Sequence, residues 1–188
     1  MHTRVPASVI ATRYSWIVPI IVEIRNSEFN RDTLTEQFNI STRLARSVIW
    51  VLSKLSLIEK TEKGYRIINE KLIDELSRKI ICKKDKKYYI IREGDNIILI
   101  NIKRYRITVR KVNLKLVEKI LSKIQEEKSF TAKSLADDIS ERVDRVCTVL
   151  KIFEICGVVE KSRGEDGRSI YRFRSATDPS LISRLILR

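Results

Sequence analysis

The sequence predicts an α+β fold, and three observations support this class. Apolar residues recur at helical spacing, shorter stretches alternate between apolar and polar residues around turn signals, and this order of helices and hairpin occurs twice. The 188 residues are enough for one large or two small domains. The predicted organisation is two units of three helices and a hairpin, at 13–69 and 112–174, joined by a basic helix and a small antiparallel β segment at 70–111 and followed by an amphipathic tail at 175–188.

The first copy opens with a predicted helix at 15–27. The preceding residues 1–12 lack periodicity and are expected to form a loose arm. Asp32 is the expected N-cap of a second helix that ends at Phe38. Alternating residues around a Glu-Lys-Gly turn predict a β-hairpin at 57–68 that closes the copy.

The third helix of the first copy, at 41–55, combines an apolar face with a cationic one. At 3.6 residues per turn, one arc carries Leu44, Ala45, Val48, Ile49, Val51, Leu52 and Leu55. The opposite arc carries Thr42, Arg43, Arg46, Ser47, Trp50, Ser53 and Lys54. Ser41 is the expected N-cap. A helix with an apolar back and a cationic front has the features that reading a DNA major groove requires.

Short matches about a hundred residues apart indicate the second copy. The matched segments are Ile40-Ser41-x-Arg43-Leu44-x-Arg46 with Ile139-Ser140-x-Arg142-Val143-x-Arg145, Ile58-Glu59-Lys60 with Val159-Glu160-Lys161, and Tyr65-Arg66-Ile67 with Tyr171-Arg172-Phe173. The first helix of the second copy is predicted at 114–124, and Thr131 is the expected N-cap of the second helix. The third helix is predicted at 140–155, with Gly157 in the C′ position that ends it. Its hairpin is expected to turn at 163–168.

The middle segment is predicted to contain a helix at 69–81, capped by its first residue, and strands at 86–92, 96–102 and 104–111. The last strand is expected to place Arg104, Arg106, Thr108 and Arg110 on one face and Tyr105, Ile107 and Val109 on the other. Residues 70–111 hold 13 Lys and Arg against 6 Asp and Glu. Cations are interleaved with aromatic residues in two stretches, Lys83 to Lys87 followed by Tyr88 and Tyr89, and Lys103-Arg104-Tyr105-Arg106. Such stretches could follow a phosphate backbone or stack unpaired bases; the alternative is a solvated sheet face with the tyrosines in the core.

The whole chain carries 38 Lys and Arg against 24 Asp and Glu, a formal net charge of +14. Such a charge predicts an extended polyanion as partner, with a merely well-solvated surface as the alternative. No membrane span and no secretory signal are recognisable, so a cytoplasmic location is expected. Cys82, Cys147 and Cys156 show no C-x-x-C spacing and are expected to be reduced thiols.

Catalysis is not expected. The one histidine is His2, so no Ser-His-Asp or Cys-His set can form, and no His/Cys cluster has the spacing of zinc ligands. The five glycines include no phosphate-binding loop. The sequence therefore predicts no catalytic residue, no metal site and no cofactor.

The repeated order of helices and hairpin resembles the winged helix-turn-helix domains of many bacterial and archaeal transcription regulators. The resemblance covers roughly residues 13–69 and 112–174. It implies that the third helix enters the major groove and that the hairpin, or wing, lies over the adjacent backbone or minor groove. Two departures are noted: Ser56 stands where glycine is common before the wing strand, and the stretch from the helix serine to the wing is two residues shorter in the first copy.

The expected function is sequence-specific binding of double-stranded DNA by a nucleoid-associated transcriptional regulator. The expected DNA contacts are Ser41, Thr42, Arg43, Arg46, Ser47, Trp50, Lys54, Lys63, Arg66, Arg104, Arg106, Arg110, Arg142, Arg145, Arg163 and Arg168. Glu141 and Asp144 would repel a polyanion, so the first copy is expected to read the bases. Trp50 is expected to pack on the wing or a neighbouring subunit rather than on a base.

Other functions stay open at this point. Tandem winged helices also resemble subunits of the chromosome-segregation and transcription machinery, which bind proteins through these surfaces. A plasmid- or virus-type replication initiator would place the same two domains on repeated origin sites. A homodimer is expected if the DNA site is symmetric, while two tandem domains could also act as one pseudo-dimer.

Overall fold

The computed structural model describes residues 5–25, 27–127, 129–174 and 179–186, and they form a mixed α+β structure, as predicted. His2, which entered the argument on catalysis, lies outside the described residues, as do the first residues of the predicted tail, 175–178. The chain divides into two compact units. Unit 1 consists of Met1–Ile80, Asp85–Tyr89 and Ile100–Val109, and unit 2 of Ile81–Lys84, Ile90–Leu99 and Arg110–Arg188.

Among its described residues, unit 1 contains four α-helices, a short hairpin and then a fifth helix. Its helices are α1 (Ala7–Arg13), α2 (Val18–Glu23), α3 (Arg31–Phe38), α4 (Thr42–Lys54) and α5 (Glu70–Lys79), with a 3₁₀ turn at Ser15–Ile17. The hairpin consists of β1 (Ile58–Lys60) and β2 (Tyr65–Ile67), which pair antiparallel. Phe29 and Tyr65 exchange backbone N–H···O bonds of 2.9 and 2.8 Å. These bonds tie the start of α3 to the hairpin.

The prediction of a loose arm at 1–12 is wrong for its second half. Residues Ala7–Arg13 form α1, in which Ile10 and Ala11 have no exposed surface. The helix has only two turns, which is too short a stretch to give a clear periodicity in the sequence.

The first two predicted helices of unit 1 begin elsewhere. The helix predicted at 15–27 divides into the 3₁₀ turn and α2, because Pro19 is tolerated only in the first turn of a helix. The N-cap of α3 is Asn30 and not Asp32. The Asn30 side chain accepts bonds from the N–H groups of Asp32 (2.9 Å) and Thr33 (3.0 Å). The Thr33 hydroxyl accepts the N–H of Asn30 at 2.8 Å, which completes a capping box.

The third helix of unit 1 agrees with its prediction. The Ser41 hydroxyl accepts the N–H of Leu44 at 3.3 Å, which confirms the predicted N-cap. Ala45, Val48 and Leu52 have no exposed surface. This apolar face fixes the rotation of α4 about its axis and so decides which side chains point outward.

Ser56, just after α4, has a φ of +54°, a left-handed conformation that favours glycine. We expect Ser56→Gly to raise the free energy of unfolding by roughly 0.5–1 kcal/mol, because glycine has no Cβ to be strained there. Urea unfolding followed by circular dichroism measures the change. Ser53→Gly, on the exposed side of α4, is the matched control and should lower stability by about the same amount. A loss of stability in Ser56→Gly would contradict the assigned backbone conformation.

The middle segment contains α5 and a four-stranded sheet, one strand more than predicted. In pairing order the strands are β3 (Ile80–Lys84), β4 (Tyr88–Glu93), β5 (Asn96–Ile102) and β6 (Ile107–Asn113). The Asn69 side chain accepts the N–H of Leu72 at 3.1 Å, so the predicted cap of α5 is confirmed. The predicted helix runs too far, because Ile80 continues its apolar spacing although the backbone is already extended there.

Unit 2 repeats the order of three helices and a hairpin. Its elements are α6 (Leu114–Glu126), α7 (Ala132–Asp138), α8 (Val143–Ile155), β7 (Val159–Arg163), β8 (Ser169–Phe173) and α9 (Pro179–Ile186). Thr131 caps α7 in a capping box with Ser134, as predicted for the cap. Phe130 and Tyr171 exchange backbone bonds of 3.0 and 2.9 Å, which tie α7 to this hairpin.

The predicted alignment of the third helices is wrong by two residues. α4 and α8 both have 13 residues and begin at 42 and 143, so the copies are 101 residues apart, not the 99 that separate the two matched serines. The predicted difference in length between them therefore does not exist. Ser140 lies in the connection before α8 with a φ of +53°, as Asn39 does before α4 with +49°. In this register Arg43 corresponds to Asp144.

The prediction that all three cysteines are reduced thiols is also wrong. Cys82 of β3 and Cys156 at the C-terminal end of α8 form a disulfide with their Cα atoms 5.8 Å apart, and Cys147 is a free thiol. The pair is 74 residues apart in sequence, so only the tertiary structure brings the two thiols together.

The predicted tail contains the helix α9, whose Leu185 is fully buried. Across the described ranges, we find no helix with the length and apolar content that a membrane span needs.

Candidate nucleic-acid interface

The outward face of α4 is a polar strip along the whole helix. The exposed residues are Thr42, Arg43, Arg46, Ser47, Trp50, Ser53 and Lys54, as the sequence predicts. Trp50 exposes 62% of its surface, so the hairpin of unit 1 does not cover the indole. Packing of the indole against a neighbouring subunit stays a prediction. Arg43, Arg46, Trp50 and Lys54 are three or four residues apart and therefore share one side of the helix.

The guanidinium groups of the two arginines in this strip are available to a ligand. Within the described residues, neither Arg43 nor Arg46 forms an ion pair with an acid. The neighbouring Ser47 hydroxyl donates to the backbone carbonyl of Arg43 at 3.2 Å, and the Lys54 ammonium lies 5.0 Å from the centre of the Trp50 ring. A guanidinium has five N–H donors, so this strip offers a planar, charged donor surface to a ligand.

A groove of about 620 Å³ runs beside the strip and reaches the start of α3. Its lining consists of Asn30, Arg31, Asp32, Arg46, Ile49, Trp50, Ser53 and Tyr65. Arg31 and Asp32 form an ion pair of 2.9 Å. Their hydrogen bond and charges raise the pKa of Arg31 and lower that of Asp32. The cation free to meet an anion in this groove is therefore Arg46 rather than Arg31.

Arg104 and Arg106 lie in a tight turn before β6 and not in a strand, which corrects the prediction. The N–H of Lys103 donates to the carbonyl of Arg106 at 3.0 Å, so only two residues remain to reverse the chain. Tyr105 exposes 73% of its surface instead of facing the core. The N–H of Ser41 donates to the carbonyl of Arg104 at 2.6 Å. This bond holds the turn against the N-terminal end of α4.

A cationic cavity of about 560 Å³ lies next to this turn in unit 1. It is lined by Gln37, Phe38, Asn39, Asp85, Lys86, Lys87, Ile102, Lys103 and Arg104. The N–H of Ile102 donates to the carbonyl of Lys87 at 2.8 Å, which brings the two lysine-bearing segments together. The interleaved cations of the sequence indicated a basic surface here, but the side-by-side placement of Lys87 and Arg104 depends on strand pairing. The list of candidate site residues therefore missed Lys86 and Lys87.

The two predicted hairpin residues of unit 1 have different surroundings. Lys63 is exposed at the turn and has no acidic partner in the described part of the chain. Arg66 forms a 2.6 Å ion pair with Glu59 on the facing strand, and this hydrogen bond and charge raise the pKa of Arg66. A side chain at Gly64 would collide with the carbonyl oxygen of Phe29, so the close turn beside Lys63 requires glycine.

The corresponding surface of unit 2 is largely neutralised by ion pairs within the unit. The pairs are Arg142–Asp144 at 3.0 Å, Arg145–Glu141 at 3.0 Å, Lys151–Glu154 at 3.1 Å and Arg168–Asp166 at 3.2 Å. Arg163 is exposed and, among the residues described, lacks an ion pair. Helix α8 thus presents paired charges where α4 presents free cations.

Two further predicted contacts point to structural roles. Arg110 donates to the Thr148 hydroxyl at 3.5 Å within unit 2. Tyr89 has no exposed surface, and its burial, together with the Glu23 carboxylate, raises its pKa. For Tyr89 the alternative of a core tyrosine is therefore correct.

The described residues contain no group of three His, Cys, Asp or Glu side chains that could hold a metal ion. Comparison of the chain with known protein families, with curated proteins and with solved structures finds no match. The site has to be interpreted from its own geometry and charge.

Proposed function

We propose that this chain is a sequence-specific double-stranded DNA-binding protein, a transcriptional regulator, in which α4 of unit 1 is the recognition helix. One observation carries the proposal: α4 buries the centre of one face, at Ala45, Val48 and Leu52, and presents, on the other, two arginines one turn apart with no acidic partner in the described residues. A helix that is anchored from behind and cationic in front can enter a major groove about 12 Å wide.

The order of elements supports assigning each unit to the winged-helix fold. In both units a capped second helix, a short connection with one left-handed residue and a 13-residue third helix precede an antiparallel hairpin. In both units, the residue before the N-cap of the second helix also pairs with the second strand of the hairpin, Phe29 with Tyr65 and Phe130 with Tyr171. In this fold the hairpin of unit 1 would be the wing, with Lys63 over the DNA backbone.

Chemistry favours a division of roles along unit 1. Arg43 and Arg46 can each donate two hydrogen bonds to the O6 and N7 acceptors of one guanine edge, and the planar guanidinium fixes the geometry of that contact. Lys54, Lys63 and the cations of the 103–106 turn supply phosphate contacts, which position the protein without reading sequence. The net charge of +14 favours a polyanion over a neutral partner.

Unit 2 favours a second candidate function, protein binding as in subunits of the segregation or transcription machinery. The specific observation is that Arg142, the N-cap of α8, and Arg145, in its first turn, are paired with Asp144 and Glu141. A surface of paired charges offers little to a phosphate but can complement another protein. Arg163, which forms no ion pair with a described residue, would then be the contact of unit 2 with DNA through its hairpin, since Arg168 is paired with Asp166.

Selection of bound fragments from random duplex DNA, followed by gel shifts of one selected duplex across a salt series, tests the proposal. We expect a plot of log K against log salt with a slope of roughly −4 or steeper, because each neutralised phosphate adds about −0.9. A scrambled duplex of the same length is the control and should bind more weakly at every salt concentration. A flat profile, or equal binding of both duplexes, would count against sequence-specific DNA binding and favour the protein-binding function.

A further inference from the structure

Tyr105 is an aromatic side chain that unit 1 does not bury. It exposes 73% of its surface at the tip of the 103–106 turn. The nearby Tyr89, by contrast, is fully buried in the same unit. An aromatic ring kept in solvent at the tip of a turn is typical of a contact with a partner, because tyrosine combines a large apolar surface with little loss of conformational freedom on binding.

The turn is held in a fixed place beside α4. Its Arg104 carbonyl accepts the N–H of Ser41 at 2.6 Å, and Ser41 is also the N-cap of α4. The internal bond from Lys103 to Arg106 closes the turn at 3.0 Å. A ligand that meets the first turn of α4 therefore meets the 103–106 turn as well.

The charges around Tyr105 specify the chemistry of that ligand. Lys103, Arg104 and Arg106 are exposed, and none of them forms an ion pair with an acid within the described chain. The Arg104 guanidinium lies 5.3 Å from the centre of the Tyr105 ring. The adjoining cavity adds the ammonium groups of Lys86 and Lys87. Cations around an exposed aromatic ring match DNA, which offers phosphates to the cations and, beside them, sugars and base edges to the ring.

We propose that the 103–106 turn is a second DNA-contacting element of unit 1, in which Tyr105 makes a non-ionic contact with sugars and base edges beside the segment read by α4. The inference rests on the proposed function. The cations of the turn bind the flanking phosphates, and the ring adds affinity that salt does not screen. The contact belongs to the loop between β5 and β6 and is separate from the hairpin of β1 and β2.

The salt series separates the ring from the cations. Tyr105→Ala is expected to weaken binding to the selected duplex by about 5- to 100-fold at every salt concentration, the effect of losing one aromatic contact with the DNA, with an unchanged slope. Tyr105→Phe keeps the ring and should bind within about twofold of the parent, because the contact with sugars and base edges uses the ring rather than the hydroxyl. Arg104→Ala with Arg106→Ala should make the slope shallower by roughly two units, because two phosphate contacts are lost.

Val109→Ala, at another partly exposed apolar residue of unit 1, is the matched control and should leave affinity unchanged. Thermal unfolding of each variant verifies that the fold is intact. If the parent binds and Tyr105→Ala binds equally well, this inference is wrong and the proposed function stands. If the parent shows no salt-dependent duplex binding, the proposed function fails and this inference fails with it.

Discussion

Replacing Arg43 and Arg46 together by alanine is expected to weaken binding to the selected duplex by about 2–5 kcal/mol, roughly 30- to several thousand-fold, because each good arginine–guanine contact contributes about 1–3 kcal/mol. Binding to a scrambled duplex should change much less, since that binding depends on phosphate contacts from the whole surface. The measurement is a gel shift or anisotropy titration of both duplexes at one fixed salt concentration.

The double variant should fold like the parent. Both side chains are exposed and form no ion pair with another described residue, and alanine is the best helix former. We therefore expect a melting temperature within about 2 °C of the parent, because surface substitutions of this kind usually change stability by less than 0.5 kcal/mol.

Unit 2 provides a matched control in the same chain. Arg142→Ala with Arg145→Ala removes two arginines at the same spacing from the N-cap and first turn of α8, where both are paired with acids. The control should lose little DNA affinity, since only free cations are expected to read bases. It should lose roughly 0.5–1.5 kcal/mol of stability through the broken exposed ion pairs. If the control loses more specific binding than the α4 variant, α8 rather than α4 is the recognition helix.

The features of α4 that matter for this test could be predicted from the sequence because they are local. The apolar positions of α4 are three and four residues apart, and Ser41 precedes the first of them in the usual place of a cap. The caps at Asn69 and Thr131 were predicted on the same basis. Such signals depend only on residues within two turns of one another, so no knowledge of the tertiary fold is needed.

The alignment of the two copies could not be predicted in the same way. Arg43 and Arg142 appear in similar strings of residues, but the position of each helix is set by buried residues such as Leu52 and Phe153, which are 101 residues apart. Surface arginines are free to differ between copies because they pack against nothing. The pattern of apolar residues that become buried indicates the correct alignment better than the surface residues do. The left-handed residue before each third helix, Asn39 or Ser140, agrees with that alignment.

The 103–106 turn and the disulfide could not be predicted for a different reason. Alternation of Arg104, Tyr105 and Arg106 is compatible with a strand, and only the backbone bond from Lys103 to Arg106 shows that the chain reverses there. The bond from Ser41 to Arg104 likewise connects residues that are far apart in sequence. Contacts of this kind follow from the folded structure and carry no local sequence signal.

Reducing the Cys82–Cys156 disulfide is expected to lower the stability of unit 2 by roughly 4 kcal/mol at 25 °C, because the bond closes a loop of 74 residues and so restricts the unfolded chain. Urea unfolding of the same protein with and without a reductant measures the change. We expect the midpoint of the unit 2 transition to fall on reduction. Thiol titration under denaturing conditions should give one free thiol before reduction and three after it, in agreement with the free Cys147.

Cys147→Ser is the matched control for this experiment, because it removes a thiol from α8 without touching the bond. It should keep the difference between the oxidised and the reduced protein, whereas Cys82→Ser should abolish that difference and unfold like the reduced parent. The entropic stabilisation acts on the unfolded chain, so it should persist in salt concentrations that weaken the surface ion pairs of α8. Equal urea midpoints for the oxidised and reduced parent would show that the disulfide contributes nothing to the stability of unit 2.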